Sequence, residues 1–259
     1  MSDASVNADI EQQGREQYAL LRPRIKSMRR QALAVEIVPG TLMHREDHRT
    51  SYSPISYQVR WQLQLASEHL VALDRLVEGH GLPDYAGYVL IRAAIETAAS
   101  AYWLTQPEVS DRRVLRALQM AWWNQDAAAE FATAAGFDQT DNDREIKAQL
   151  NELRGKIKSL RQAKLDKPHL SHSDMLTAVE RTISVNHPMP LLAWRQCSAL
   201  AHGNSAVAVM SLQHRMIRAE EPNVHKSTSS WAIVSALTRT ALDMFDSALA
   251  SFEKRSDTP

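Results

Sequence analysis

The chain has 259 residues, of which 44% are hydrophobic and 23% charged, the ordinary composition of a globular protein with a sizeable core. Lysine plus arginine number 30, as do aspartate plus glutamate, and this balance excludes the general polyanion affinity of a strongly basic chain. Any site for nucleic acid must therefore be local. The single cysteine, Cys197, excludes an intramolecular disulfide and is typical of a reducing compartment.

Two further features predict a cytoplasmic protein. The first residues are polar and acidic, and they lack the basic start and apolar stretch of a secretory signal. The most apolar stretch, residues 85–104, contains Arg92 and Glu96, and charges at the centre of a bilayer are costly. We therefore expect no membrane-spanning helix and no membrane partner.

The spacing of apolar residues predicts an all-α fold. Such residues recur every three or four positions between Pro54 and Gly79 and again from Trp231 to Phe252, whereas no segment shows a sustained alternation with period two. Helices are predicted over residues 9–34, 55–79, 84–105, 111–135, 142–163, 173–184, 190–202, 204–215 and 229–253. Because no linker divides the chain, residues 1–259 are expected to form a single all-helical domain, a bundle of eight or nine helices.

The segments between and beyond these helices are predicted to be irregular. They are a long loop over 38–54, a polar segment over 215–230, and disordered tails over 1–8 and 254–259. Ser171 and Asp174 have the spacing of a capping box, which predicts a helix start directly after Ser171.

Two of the predicted helices are strongly basic. The first carries Arg22, Arg24, Lys26, Arg29 and Arg30, and the fifth segment carries Arg154, Lys156, Lys158, Arg161, Lys164 and Lys167. Basic helix faces are most often simply solvated, and nucleic-acid contact at either one is the alternative. The pairs His44/His48 and His169/His172 lack a second ligand cluster, so we interpret them as solvated and predict neither a metal site nor a cofactor.

The segment LLAWRQCSALAHGN contains the most function-like pair of residues, Arg195 and His202. Seven residues of helix correspond to about 700° of rotation and about 10 Å of rise, so both lie on one stripe. Ser198 and Ala199 lie between them on that face and are small enough to leave room for a phosphate-bearing ligand. The alternative is a polar pair satisfied inside a helical interface.

His202 is expected at the C-terminal end of its helix, because Gly203 follows and Asn204 is a suitable cap for the next one. The negative end of the helix dipole favours an imidazolium there, which suits a general acid or a phosphate contact.

Arg92 and Glu96 are spaced i,i+4 in the nearly apolar segment VLIRAAIETAASAYWL, which is typical of a central helix. They form either a buried ion pair with each other or part of a cleft. A more specific hypothesis is that Glu96 orients Arg195 or His202 from the neighbouring helix.

These two motifs resemble the HEPN superfamily, in which an Arg is followed by four to six residues and a His late in a helical domain. The early LIRAAIETA and the late RQCSALAHG are similar to one largely uncharacterised bacterial branch, which pairs an Arg-x-x-x-Glu helix with an Arg…Ser-x-x-x-His-Gly helix. Active members often carry Asn, Asp or His directly after the Arg, where this chain has Gln196.

The resemblance implies a helical bundle that is commonly dimeric, with the Arg–His faces of two copies meeting. Many members are metal-independent ribonucleases of toxin–antitoxin, antiphage or CRISPR-associated systems, and others are inactive partners or nucleotide-binding modules. In a ribonuclease, His202 would be the general acid or base and Arg195 would stabilise the phosphorane charge. The supporting residues would be Arg92, Glu96, Ser198, Gln196 and Asn204.

Two functions therefore remain open from the sequence. An enzyme acting on RNA or a nucleotide predicts a concave, partly exposed Arg195/His202 face, a homodimer and an antitoxin or other protein partner. A non-catalytic interaction or nucleotide-binding module predicts that Arg195 bonds Glu96 or backbone carbonyls and that His202 is buried. A third reading places the function in a pocket that the sequence does not reveal.

Overall fold

The fold is taken from a computed structural model, which describes residues 3–183, 189–216 and 225–258. Within these ranges the chain forms ten α-helices and one two-stranded hairpin, so the predicted all-α fold is confirmed, with ten helices rather than eight or nine. The helices are α1 (Asp3–Ala34), α2 (Leu42–Arg49), α3 (Ile55–His80), α4 (Ala86–Thr105), α5 (Ser110–Ala134), α6 (Thr140–Lys156), α7 (His172–Glu180), α8 (Pro190–Ala201), α9 (Ser205–Ser211) and α10 (Trp231–Asp257). The strands are β1 (Gln213–Met216) and β2 (His225–Thr228).

Helix α4 is the centre of the core, as its nearly continuous apolar sequence predicts. It packs most closely against α3 and α10, and it also contacts α7 and α8. Helix α1 lies across α3 and α10. Gly14 permits this crossing, because a Cβ at that position would lie 2.4 Å from the backbone nitrogen of Ala232 in α10.

A smaller apolar cluster joins α5, α6 and the segment that follows α6. Val114 and Leu118 of α5 are buried there against Leu150, Leu160 and Leu165. The predicted helix over 142–163 was too long: α6 ends at Lys156, and a short 3₁₀ turn follows at Lys158–Leu160. The segment folds back because the Arg154 guanidinium donates to the carbonyl oxygens of Arg161 and Ala163.

The predicted long loop over 38–54 contains α2, so this part of the prediction is wrong. Its sequence, LMHREDHR, has almost no apolar residues and therefore no helical periodicity. A polar interaction holds it instead: Glu46 is fully buried and pairs with Arg113 of α5. The Thr41 side chain caps its first turn by accepting from the His44 backbone N–H.

The predicted disordered tails also differ from the structure. Helix α1 begins at Asp3, and α10 continues to Asp257 with Arg255 and Ser256 buried. Arg255 donates to Glu108 at 2.9 Å, and the N–H of Leu42 donates to the Thr258 carbonyl at 2.8 Å. These long-range contacts order the C-terminal turn, and the local sequence carries no sign of them.

The region after α8 differs from the prediction as well. The predicted helix over 204–215 ends at Ser211, and β1 and β2 pair antiparallel inside the predicted polar segment, with Gln213 opposite Thr228 and Met216 opposite His225. Strands of four residues are too short to show a sustained alternation. No helix in the described part of the chain combines the length and the apolarity needed to cross a bilayer.

Candidate functional site

The candidate site lies where α8 packs against α4. Helix α8 begins with Pro190, a residue preorganised for a first helical turn, and buries Ala193, Cys197 and Leu200 at helical spacing in the core. This orientation places Trp194 at the boundary with α4 and leaves His202 exposed at the end of the helix. Two of the predicted supporting residues, Arg92 and Glu96, lie on the facing side of α4 and take part in the same network.

Glu96 is the acceptor at the centre of this network. Its Oε1 accepts a hydrogen bond from Arg92 Nε at 2.8 Å and another from the Trp194 indole N–H at 2.6 Å. Nδ1 of His172, at the start of α7, lies 4.0 Å from the same oxygen. Because only 16% of the Glu96 side chain is exposed, these charge-assisted contacts are shielded from water and stronger than on an open surface.

Arg92 connects Glu96 to His202. Its Nη1 lies 3.0 Å from Nε2 of His202, and its guanidinium carbon lies 5.5 Å from the centre of the Trp194 ring. A guanidinium can only donate hydrogen bonds, so Nε2 of His202 is the acceptor and carries no proton in this arrangement. The contact therefore requires a neutral imidazole with an unprotonated Nε2, whereas the helix dipole was expected to favour the imidazolium.

The end of α8 holds His202 at a fixed position between two helices. The His202 backbone N–H donates to the Ser198 carbonyl at 3.1 Å, and Gly203 adopts a φ of 69°, which favours glycine. Asn204 caps α9 by accepting from the Val207 N–H at 3.1 Å, as its position after the glycine predicts. His202 is thus the C-terminal cap of α8, at the helix end where the sequence predicts it.

Arg195 has a different environment from the one the sequence suggested. Its side chain is exposed and makes no hydrogen bond or ion pair with any residue in the described ranges, Glu96 included. Gln196, the next residue, donates to the Ser211 hydroxyl at 3.0 Å and joins α8 to α9. The Ser198 side chain is half-buried. The contact to His202 is therefore made by Arg92, and Arg195 is an exposed cation about 10 Å along the same helix.

Three residues near Glu96 were missed or misread from the sequence. Trp194 directly precedes Arg195 but was not singled out, and His172 was interpreted as solvated. The predicted cap, Ser171, accepts from the Asp174 N–H at 3.1 Å, and this α7 start directs His172 towards Glu96. His69 of α3 is close enough for Glu96 to raise its pKa, although burial, the larger effect, leaves that pKa below the ordinary histidine value.

Cys197 is excluded as a nucleophile although it lies on the same helix. It is fully buried, and this burial raises the pKa of its thiol to about 12, with Arg92 a smaller opposing influence. No cluster of three His, Cys, Asp or Glu residues with metal-binding geometry occurs among the residues the structure describes. What the site offers is hydrogen-bond and proton chemistry: an exposed imidazole, a guanidinium beside it, and a carboxylate that holds the guanidinium.

Comparison of the chain with protein-family models, with curated proteins and with solved structures found no match. The geometry of the site and the resemblance of its two motifs to HEPN proteins are therefore the grounds for a functional proposal.

Proposed function

We propose that the chain is a HEPN-like, metal-independent ribonuclease whose centre is His202 with Arg92, assisted by Arg195. The observation that carries this proposal is the 3.0 Å contact between Arg92 and an exposed imidazole at the end of α8. An unprotonated Nε2 is a general base, and the guanidinium at that distance is a donor for the phosphoryl oxygens of a bound phosphodiester. The imidazole and guanidinium thus supply a base and a charge stabiliser side by side.

The reaction needs two proton transfers at one phosphodiester. A phosphoryl oxygen replaces Nε2 of His202 as the acceptor for Arg92, and the freed Nε2 takes the proton of a ribose 2′-hydroxyl. The 2′-oxygen bonds to phosphorus, and the bond from phosphorus to the 5′-oxygen breaks. A water molecule gives a proton to that 5′-oxygen as it leaves, and the hydroxide that remains takes the proton back from His202, so the products are a 2′,3′-cyclic phosphate and a 5′-hydroxyl end. Arg92 donates to the phosphorane oxygens, and Glu96 holds the guanidinium in place for that task.

In this proposal Arg92 takes the role that the motif assigns to Arg195. Arg195 is exposed and lies about 10 Å along the helix from His202, and in this proposal we assign it to an adjacent phosphate. A homodimer in which two such faces meet, and an antitoxin or other protein partner in a toxin–antitoxin or antiphage system, are further proposals that follow from the HEPN resemblance.

A second candidate function is a non-catalytic interaction or nucleotide-binding module. The contacts of Glu96 with Arg92 and Trp194, and of Arg92 with His202, join α4 to α8 and favour a structural role for this network. In that case the same residues would stabilise the fold and contribute nothing to turnover.

The test is cleavage of RNA by the purified protein in the presence of EDTA, with wild type, His202→Ala and His80→Ala compared. His80 is a matched control, because it also ends a helix, is exposed, and precedes a glycine with a positive φ, Gly81. We expect wild type and His80→Ala to release cyclic-phosphate ends and His202→Ala to be slower by about 100-fold or more.

Thermal melting of the three proteins separates the two candidate functions. Equal melting temperatures with a selective loss of cleavage in His202→Ala support the enzyme. If wild type does not cleave RNA and His202→Ala alone lowers the melting temperature, the ribonuclease proposal fails and the structural module is favoured.

A further inference from the structure

The two basic regions of the chain differ in whether their cationic side chains pair with carboxylates. Along α1, Arg22 pairs with Asp74 and Glu78, Arg24 with Asp246, and Arg29 with Glu68. In residues 158–167, here called the basic segment, the cationic side chains form no ion pair with any described residue; they are Lys158, Arg161, Lys164 and Lys167. The segment contains one carboxylate of its own, Asp166. Its excess positive charge faces solvent.

Contacts to α5 hold the backbone of the basic segment in a fixed path. The Gln119 side-chain amide donates to the Lys164 carbonyl at 3.0 Å, and the Trp123 indole N–H donates to the Lys167 carbonyl at 2.8 Å. These bonds use the backbone and leave both lysine side chains exposed. A row of cations on a preorganised backbone binds a polyanion at a lower entropic cost than a flexible loop does.

A groove lies between the basic segment and α5–α6. Its volume is about 390 Å³, which is large enough for a nucleotide. Its lining includes Trp122, Asn151, Arg154, Arg161, Lys164 and Asp166. An indole is a surface for base stacking, an amide can bond to base edges, and the exposed cations suit phosphates. This combination is typical of sites for single-stranded nucleic acid.

A series of neighbouring side chains runs from the end of the basic segment, where Trp123 bonds the Lys167 carbonyl, to the candidate centre. The ring of Trp123, next to Trp122, lies 4.8 Å from the ring of His169, and that ring lies 6.3 Å from His172. His172 lies 4.0 Å from Glu96, which bonds Arg92. The end of the basic segment therefore leads, through two histidines, to the residues beside His202.

We propose that the basic segment and its groove bind single-stranded RNA and direct it towards the Arg92–His202 centre. The inference rests on the proposed function for the chemical class of the ligand. The phosphates would lie on Arg161, Lys164 and Lys167, and a base would stack on Trp122. The basic face of α1 would take no part, since Arg22, Arg24 and Arg29 are already paired with carboxylates.

The test measures the binding of a fluorescein-labelled 15-nucleotide uridine strand by anisotropy, with His202→Ala as the background to prevent cleavage. Lys164→Glu/Lys167→Glu is compared with Arg30→Glu/Arg75→Glu, a matched control that reverses two exposed arginines outside the segment. We expect the lysine variant to bind about tenfold or more weakly, and its salt dependence (log Kd against log salt) to be shallower by roughly 1.4, about 0.7 for each lost phosphate contact. The control should bind like its parent.

The outcomes distinguish this inference from the proposed function. Equal weakening of both variants, or no weakening of either, overturns the basic segment as the binding surface. A uridine–adenosine dinucleotide is too short to reach the groove, so its cleavage by the wild type tests the Arg92–His202 centre separately. If the wild type cleaves neither the dinucleotide nor longer RNA but the lysine variant selectively loses binding, the RNA surface stands and the ribonuclease proposal fails.

Discussion

Two arginine–glutamate pairs in this protein have the same chemistry and different surroundings. Arg113 and Glu46 join α5 to α2, with 0% and 1% of their side chains exposed. Arg92 and Glu96 lie one helical turn apart on α4, with 25% and 16% exposed. We call Arg113–Glu46 the closed pair and Arg92–Glu96 the open pair, because the first is sealed from solvent and the second has a side that a ligand can reach.

In the closed pair, every donor group of the arginine has a partner within the protein. Nε and Nη2 of Arg113 bond the Glu46 carboxylate, and Nη1 bonds the carbonyl oxygens of Pro107 and Glu108. In the open pair, Nε of Arg92 bonds Glu96 and Nη1 reaches the exposed His202. We infer that the first pair is structural, whereas the second has an exposed side at which a phosphate could compete for the guanidinium.

The largest expected effect on stability is that of breaking the closed pair. Arg113→Ala leaves the Glu46 carboxylate buried and unpaired, so we expect the free energy of unfolding to fall by about 3–5 kcal/mol in urea denaturation. The double variant Glu46→Leu/Arg113→Met, which removes both charges, should recover much of that loss. A loss below about 1 kcal/mol for Arg113→Ala would show that water reaches the site and that the pair is not closed.

A smaller effect on stability is expected from the open pair. Glu96→Gln keeps an oxygen for the Trp194 N–H but removes the charge that holds Arg92, so we expect a loss of about 1–2 kcal/mol. If Glu96 positions the guanidinium for catalysis, the variant should also lower kcat for RNA while KM changes little. Trp194→Phe is the control, because it removes one hydrogen bond to Glu96 and leaves the ion pair intact. If Glu96→Gln and Trp194→Phe lose equal stability and both keep the wild-type kcat, the role of the Arg92–Glu96 pair is structural as well.

Apolar periodicity was enough to predict the all-α fold and the approximate positions of nine helices. It missed α2 because that helix is fixed by the buried Glu46–Arg113 pair, and a polar interaction between distant segments leaves no apolar pattern. It also missed the ordered end of α10, where Arg255 pairs with Glu108, 147 residues earlier in the numbering of the chain. Where tertiary contacts decide the local structure, sequence spacing alone is insufficient.

The same limit applies to the candidate site. Spacing along one helix pointed to Arg195 and His202 and correctly placed His202 at a helix end. It could not show that α4 brings Arg92 within 3.0 Å of His202, or that His172 from α7 approaches Glu96. The hypothesis from the sequence was that Glu96 orients Arg195 or His202 directly. In the structure Glu96 bonds Arg92, and Arg92 contacts His202. Contacts of this kind depend on how the helices pack.

The smallest expected effect concerns pH, through His69 beside the open pair. Burial lowers the pKa of His69 below its ordinary value of 6.5, and Glu96 and Glu68 act in the opposite direction. As the pH falls through 6.5, His69 of the unfolded chain takes up a proton, whereas His69 of the folded chain stays neutral until its lower pKa is reached. The free energy of unfolding is therefore highest above pH 6.5 and decreases as the pH falls from 6.5 towards the folded pKa. His169, whose pKa is lowered by burial and by His172, contributes with the same sign.

Urea midpoints at pH 7.5 and 5.5 measure this decline. His69→Gln should reduce it, because the group that takes up the proton is absent. Glu96→Gln should enlarge it, because the carboxylate that raises the pKa of His69 is gone while the burial remains. A decline in Glu96→Gln that equals or falls short of the wild-type decline would mean that the charge of Glu96 does not reach His69. The electrostatic influence of the open pair would then be confined to Arg92, Trp194 and His172, and the two arginine–glutamate pairs would be more alike than their exposure implies.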